Sequence, residues 1–433
     1  MYVYFHTLGC KVNQYETEQM AEAFLKNGYR LTLNENEADI FIVNSCTVTA
    51  ESDRKTRQLV RHLKRNHPES IVILTGCMPQ AFPKDAEKLT EADIILGNRN
   101  NASIVTLLEN YLKNKERIHT HEIHERTEDF SGALIHDFNE RTRASLKIED
   151  GCDRFCTYCI IPYARGWVRS KPLADIEKEA EALSQKGYRE IVLVGINLSS
   201  YGKGTELDLA DAVAAASRPE GILRVRLGSL EPDHMTDEML SKLQTCKKLC
   251  PQFHISLQSG ADNTLKRMNR HYTADEYARV ALEMRKRFKD ATITTDMMVG
   301  FAGETEEDFM ESVAFAKRVG FEKMHVFPYS VREGTRAAKF PNQIEKKEKT
   351  RRASIMLKTA KEIRDAYLET QIGKELEVLL EHQRKGNDLY GCTANYTPVC
   401  VQNVAEITAE LVKVQVTSVG DDCVIGNITE ILL

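Results

Sequence analysis

The 433-residue chain is notable first for what it lacks. No apolar run approaches the ~20 residues of a membrane-spanning helix, so no membrane partner is expected. The start, Met1-Tyr2-Val3-Tyr4-Phe5-His6, lacks the basic stretch and apolar core of a secretory leader. No long internal repeat or low-complexity tract occurs. A net charge of −5 excludes a protein that is basic throughout. Hydrophobic content of 42% and charged content of 28% are those of a soluble globular protein, with length for two or three domains. Eleven cysteines without an export signal place the chain in a reducing cytoplasm, where thiols serve metals and catalysis rather than disulfides.

The cysteines also lack the pattern of a structural zinc site, which needs a second C-x2-C or a matching histidine pair. What is present is Gly151-Cys152-Asp153-Arg154-Phe155-Cys156-Thr157-Tyr158-Cys159, a C-x3-C-x2-C run. Three thiolates this close can hold three irons of a cubane and leave the fourth open, as a catalytic metal site must be. A disulfide reading fails because three is odd.

A second set follows strands. Cys10 comes after Tyr2-Val3-Tyr4-Phe5, Cys46 after Ile40-Phe41-Ile42-Val43, and Cys77 after Ile71-Val72-Ile73-Leu74. Each run reads as a buried parallel strand, and a helical pattern follows each. Ligands of open α/β sheets converge at the carboxyl ends of strands, so these three cysteines are expected to meet as a second cluster site. Cys246, Cys250, Cys392, Cys400 and Cys423 are read as structural; Cys246 and Cys250 would align on one helix face without a third partner. His119, His121 and His124 have loose metal-ligand spacing but no supporting pattern, and are read as solvated.

Residues 1–112 alternate strands and helices, a parallel α/β domain whose fourth strand is Asp93-Ile94-Ile95-Leu96. Residues 113–142 lose periodicity and read as a linker. Within 143–370, strands are expected at Ser145 to Ile148, Glu190 to Val194, Leu223 to Leu227, Phe253 to Leu257, Thr292 to Met298 and Lys323 to Phe327. Six βα units predict a partial (β/α)6 barrel with Cys152 at its catalytic end. Ser170 is the expected N-cap of the first helix, with Pro172 just inside, and Thr273-x-x-Glu276 is a capping box. Residues 371–433 hold short strands, Leu376 to Leu380, Val399 to Val401 and Val412 to Val416, suited to a small antiparallel barrel. Two stretches are basic: Arg54, Lys55, Arg57, Arg61, Lys64 and Arg65, and the segment from Glu345 to Asp365. Either could meet phosphates, although each taken alone reads as a solvated helix face.

Together with Leu8-Gly9-Cys10-Lys11-Val12-Asn13-Gln14-Tyr15-Glu16, the cysteine run and its continuation Ile160-Ile161-Pro162-Tyr163-Ala164-Arg165-Gly166 resemble the radical S-adenosylmethionine (SAM) methylthiotransferases. Val194-Gly195-Ile196-Asn197, Ser256-Leu257-Gln258-Ser259-Gly260 and Gly300-Phe301-Ala302-Gly303 carry the resemblance further. It covers essentially the whole chain. It implies an N-terminal three-cysteine domain, a radical SAM barrel and a C-terminal TRAM domain. Gly-Cys-Lys-Val-Asn-Gln-Tyr-Glu looks like the branch that modifies N6-threonylcarbamoyladenosine at position 37 of tRNA. The alternatives are the isopentenyladenosine branch, the ribosomal-protein aspartate branch, and, in another class, a non-catalytic iron–sulfur RNA-binding sensor.

The resemblance implies two 4Fe–4S clusters, one on Cys152, Cys156 and Cys159 and an auxiliary one on Cys10, Cys46 and Cys77. The first reduces SAM, and the resulting 5′-deoxyadenosyl radical takes hydrogen from C2 of the adenine. The second carries the methylated sulfur. Tyr158 would pack on the adenine of SAM. Gly195, Asn197, Ser229, Glu231, Gln258, Ser259, Gly300 and Phe301, at the ends of barrel strands, would bind SAM. Arg165 and Arg169 are the cations expected beside the substrate carboxylate. Implied partners are tRNA, an electron donor such as flavodoxin or ferredoxin, and a sulfur donor. Two departures stand out. Ser170-Lys171 replaces the usual Ser-Arg pair, which loses a bidentate fork. Residues 371–433 carry four basic side chains (Lys374, Arg384, Lys385, Lys413) against nine acidic ones, which leaves RNA contact there to Tyr390, Tyr396 and the Arg384-Lys385 pair.

Overall fold

The computed structural model describes residues 1–125, 130, 142–385, 387–402 and 410–433. Six parallel strands open the chain: β1 Tyr2–Thr7, β2 Arg30–Leu31, β3 Ile40–Ser45, β4 Ile71–Gly76, β5 Ile94–Leu96 and β6 Ile118–Thr120, in the order β2-β1-β3-β4-β5-β6. β3 and β4 are buried along their whole length, as unbroken β-branched runs require when helices cover both faces. β6 lies beyond residue 112, in the stretch expected to be linker, because pairing to β5 supplies order that a polar segment does not signal by itself.

A second body follows: β7 Arg143–Lys147, the short pair β8 Glu149–Asp150 and β9 Arg169–Ser170, then β10 Glu190–Val194, β11 Arg224–Leu227, β12 Ser229–Leu230, β13 Gln252–Ile255, β14 Thr292–Val299 and β15 Lys323–Pro328. Its parallel strands run β7-β10-β11 and β12-β13-β14-β15, so the six expected strands form an open barrel whose third strand breaks at Gly228. Ile191 and Leu193 join the core beneath the outer helices. The alternate positions Glu190, Val192 and Val194 therefore face the lumen. The helix Ala274–Arg287 opens with the expected Thr273–Glu276 capping box. Ser170 is not a cap: the helix Leu173–Gln185 begins after Pro172, and Ser170 Oγ instead accepts from Gly202 N at 2.8 Å. The helix Asp237–Gln244 ends before Cys246, so Cys246 and Cys250 do not share a helix face.

The C-terminal strands, β16 Glu375–Lys385, β17 Asp388–Thr393, β18 Pro398–Val401, β19 Leu411–Val419 and β20 Val424–Ile431, close into a barrel of order β16-β17-β18-β20-β19. It is antiparallel except for β18 with β20, which run parallel. Val412, Val414 and Val416 alternate into its core with Val378, Val399 and Leu368, the last supplied by the long helix Lys346–Glu369. This barrel docks on the central β/α barrel. Arg226 Nη1 donates to Ala394 O at 2.9 Å and Arg224 Nη1 to Cys392 O at 3.1 Å. Tyr396 lies under the guanidinium groups of Arg226 and Arg143, at 4.5 and 5.1 Å from its ring centroid. Tyr396 is thus spent on docking rather than presented to RNA. The side chains of Arg384 and Lys385 lie outside the described residues. No described helix is long and apolar enough to cross a membrane.

Candidate functional site

The first thiol trio sits where β1, β3 and β4, neighbours in the sheet, all end. Cys10 is the N-cap of the helix Lys11–Lys26, Cys46 follows β3, and Cys77 opens the short helix Cys77–Ala81. The Cys10 turn touches the Cys46 segment closely: a Cβ on Gly9, whose φ is +131°, would stand 3.0 Å from that of Cys46. Asn13 fixes this contact. Its Oδ1 accepts from Cys10 N at 3.3 Å, and its Nδ2 donates to Asn44 Oδ1 and Ser45 O at 3.2 and 3.3 Å. Burial pushes the Cys77 thiol up to about 12, with Cys46 and Cys10 adding to the rise and Arg165 opposing it. The three sulfurs are therefore within electrostatic reach of one another.

The second trio lies at the mouth of the barrel. Burial raises the thiols of Cys152 and Cys159, the latter to about 12, and each is raised further by Cys156. The loop between β8 and the helix Ile161–Arg165 is anchored at both ends. Arg154 Nη2 reaches both oxygens of Asp233 at 2.7 Å, and Thr157 N donates to Met268 O at 3.0 Å. Phe155 within it has φ +48°, unusual for a bulky residue and held by these anchors. Sequence reasoning missed Arg270, which no motif singles out. It is buried, donates to Cys156 Sγ at 3.2 Å, and pairs with Glu231.

The two trios meet across a shared wall. The Cys77 helix packs on the helix Ile161–Arg165, which begins two residues after Cys159. Arg165 Nε donates to Cys77 Sγ at 3.3 Å, and its fork engages both oxygens of Glu16. Lys147 Nζ bonds Glu16 and Asp150 at 2.9 and 2.6 Å, while Arg169 reaches Asp150 at 3.4 Å. Both arginines expected at the substrate thus neutralise carboxylates of the chain itself. Lys171 likewise pairs with Glu179, beside Tyr15.

The remaining strand-end residues ring the same mouth. A Cβ on Gly195 would lie 2.6 Å from Glu149 Oε2, which accepts from Asn197 N at 2.7 Å. Burial raises the Glu149 carboxyl well above its ordinary value. Ser229 is exposed; Tyr158 packs edge-on to Phe301 at 6.3 Å. Gly300 N donates to Glu304, and Ser259 Oγ is occupied by Ser312 Oγ at 3.1 Å. The histidines of the expected linker stay apart: His119 faces Glu87, His121 meets Gln80 O, and His124 meets Asn98 Oδ1.

Comparison with known proteins fits this geometry. Residues 2–97 match the Uncharacterized protein family UPF0004, and residues 146–316 match the Radical SAM superfamily. The chain is 35% identical over 424 residues to threonylcarbamoyladenosine tRNA methylthiotransferase MtaB of Bacillus subtilis, covering 96% of this chain and 94% of that one. It is 38% identical over 388 residues to the Aquifex aeolicus MtaB, covering 89% and 94%. A tRNA-2-methylthio-N6-dimethylallyladenosine synthase of Clostridium perfringens is 34% identical over 434 residues, covering 98% and 97%. Among solved structures, the radical SAM methyltransferase TsrM from Kitasatospora setae aligns with TM-score 0.58 at 13% identity, over 76% of this chain and 74% of that one, a likeness of fold. Barrel and cysteine loop define a radical SAM enzyme. Within that superfamily, the chain belongs to the tRNA methylthiotransferases.

That family works with two 4Fe–4S clusters and SAM, and the residues present fit both. Each trio offers three thiols and, among the described residues, no fourth; Cys10 is exposed and the other five are buried or half-buried. Each has a guanidinium donating to one sulfur, Arg165 to Cys77 and Arg270 to Cys156. At the barrel mouth the buried acceptors Glu149 Oε1, Asn197 Oδ1 and Gln258 Oε1 have no hydrogen-bond partner among the described residues. Orphaned buried acceptors are costly, and SAM brings an ammonium, ribose hydroxyls and an adenine amine as donors.

Proposed function

We propose that the chain methylthiolates C2 of N6-threonylcarbamoyladenosine at position 37 of tRNA, giving the 2-methylthio derivative. One observation carries the reading most: the helix that follows Cys159 packs on the helix opened by Cys77 and sends Arg165 to its sulfur, in a chain alignable almost end to end with proteins named for that reaction. When bound, the clusters and SAM supply the electron, the hydrogen abstraction and the methylated sulfur. In this reading Cys152, Cys156 and Cys159 hold the SAM-binding cluster, and Cys10, Cys46 and Cys77 hold the auxiliary one. Tyr158 and Phe301 wall the adenine of SAM. Glu149 and Asn197, beside Gly195, and Gln258 accept from its donors, and Glu231, held by Arg270, orients the cysteine loop. Ser229, Ser259 and Gly300 complete the rim.

The anticodon loop would meet the aromatic group Phe155, Tyr163 and Trp167 beside the cysteine loop. Phe155 and Tyr163 are 38% and 53% exposed, and such rings stack on unpaired bases. Lys55, Arg57 and Arg65 on the helix Ala50–Asn66 remain for phosphates, since Arg54, Arg61 and Lys64 are paired with Glu51, Glu91 and Asp93. We read the chain as a cluster domain over 1–112, a connector to 142, a radical SAM domain over 143–370 and a TRAM domain over 371–433. A flavodoxin or ferredoxin would donate electrons and a separate protein sulfur, in the cytoplasm. Nucleoside mass analysis of tRNA from cells with and without the gene tests the reading. Loss of 2-methylthio-N6-threonylcarbamoyladenosine is expected, and an unchanged level refutes it.

A further inference from the structure

We infer that Lys11 is the cation that reads the carboxylate of the substrate's threonylcarbamoyl group, an inference that rests on the substrate reading above. The helix Lys11–Lys26 enters the open side of the radical SAM barrel. Val12 packs on Val192, Val194 and Ile196, two of them lumen-facing residues of β10. Lys11, one residue after Cys10, is exposed, and Arg143, Arg226 and Glu190 lie near enough to act on its charge. It therefore lines the lumen onto which both thiol trios open.

The other cations around that space are already matched. Arg165 and Lys147 hold Glu16, Arg169 holds Asp150, Arg226 holds Glu190, Arg224 holds Glu377 and Arg143 holds Glu381. Lys11 makes no hydrogen bond or ion pair among the described residues. An ammonium left unmatched beside two guanidinium groups gains from any anion that enters. The substrate supplies one: C6, which bears the substituent, is separated from the reacting C2 only by N1. A base presented to the two trios therefore brings its carboxylate into the same lumen. A point charge on a flexible stem suits a carboxylate at the end of a rotatable chain.

The test measures binding of anticodon stem-loop RNA carrying N6-threonylcarbamoyladenosine or its carboxylate methyl ester to the wild type, Lys11→Gln and Lys11→Arg. Iron content checks that each variant keeps its clusters. A charge-assisted hydrogen bond makes the acid bind about tenfold tighter than the ester in the wild type. Lys11→Gln should bind both alike, at the weaker level, and Lys11→Arg should restore most of the preference. A preference intact in Lys11→Gln, or absent from the wild type, overturns the inference. Turnover on these RNAs and on a stem-loop carrying isopentenyladenosine separates the two readings. Methylthiolation of isopentenyl RNA in place of threonylcarbamoyl RNA overturns the substrate reading and the inference with it. Methylthiolation of threonylcarbamoyl RNA, with the acid preference surviving in Lys11→Gln, overturns the inference alone.

Discussion

Replacing Glu16 with alanine should loosen the N-terminal sheet from the barrel. Glu16 is 5% exposed and takes both arms of Arg165 as well as Lys147 Nζ at 2.9 Å. Without it, two buried cations and Arg169 share one carboxylate, Asp150. Removing one partner of a buried ion pair costs ~3–5 kcal/mol, because the charge left behind is uncompensated. Glu16→Gln keeps the shape and one acceptor, so its loss should fall nearer the ~1.5–3 kcal/mol of hydrogen bonds to a charged group. Urea unfolding of the cluster-free protein measures both. The pH dependence supplies an independent sign. Burial alone would raise the Glu16 carboxyl, but Arg165 and Lys147 outweigh it and hold the group below its ordinary value. A depressed carboxyl contributes stability above its unfolded pKa, lost as pH falls through the folded one. The wild type should therefore lose stability on acidification below about 4.5, and Glu16→Gln should lack that part of the acid limb. A Glu16→Ala protein within ~1 kcal/mol of wild type, or an unaltered acid limb in Glu16→Gln, refutes the reasoning.

Reconstituted protein should carry about eight irons; replacing Cys152, Cys156 and Cys159 by alanine should halve that and abolish SAM cleavage, and retention of both clusters would sink the assignment. With Cys10, Cys46 and Cys77 replaced, 5′-deoxyadenosine should still form from SAM while no methylthio product appears by mass analysis; full product would contradict the auxiliary role. Tyr396→Ala removes one ring from beneath two guanidinium groups and should cost ~1–2 kcal/mol in urea unfolding, an effect absent if the C-terminal barrel docks through its backbone contacts alone.

The elements were legible wherever one residue's neighbours in sequence decide its environment. Glu190–Val194 and Ile71–Gly76 read as buried strands because residues 191–194 and 71–74 are unbroken apolar runs, and expectation and structure agree within two residues. Cys10, Cys46 and Cys77 could be brought together on paper because strand ends share an edge. Ser170 failed because a polar residue before a helix signals a cap only when the chain turns there, and pairing with Glu149 holds Ser170 extended instead. Arg165 and Arg169 were placed at the substrate on proximity to Cys159. What sequence does not show is the partner from another body: Glu16, 149 residues away from Arg165, takes its fork. Arg270 was illegible for the same reason, since its contacts to Cys156 and Glu231 span 114 and 39 residues.

The helix Lys11–Lys26 shows why the two trios hold a fixed relation without a long interface. At 3.6 residues per turn, positions 13, 17, 20 and 24 face the helix's own sheet: Asn13 and Thr17 bond Asn44, and Met20 and Phe24 enter that core. Positions 12, 15 and 16 face the barrel, where Val12 meets β10, Tyr15 Oη donates to Glu179 Oε1 at 2.8 Å, and Glu16 meets Arg165 and Lys147. One helix is therefore core to both bodies, and its N-cap is a cysteine of one trio. Any sliding of the sheet against the barrel would have to unpair Glu16 and bare Tyr15, both buried. A rigid element thus ties the two trios together, and its first turn carries Lys11, so under the proposed function the reacting carbon and the carboxylate would be gauged from the same backbone.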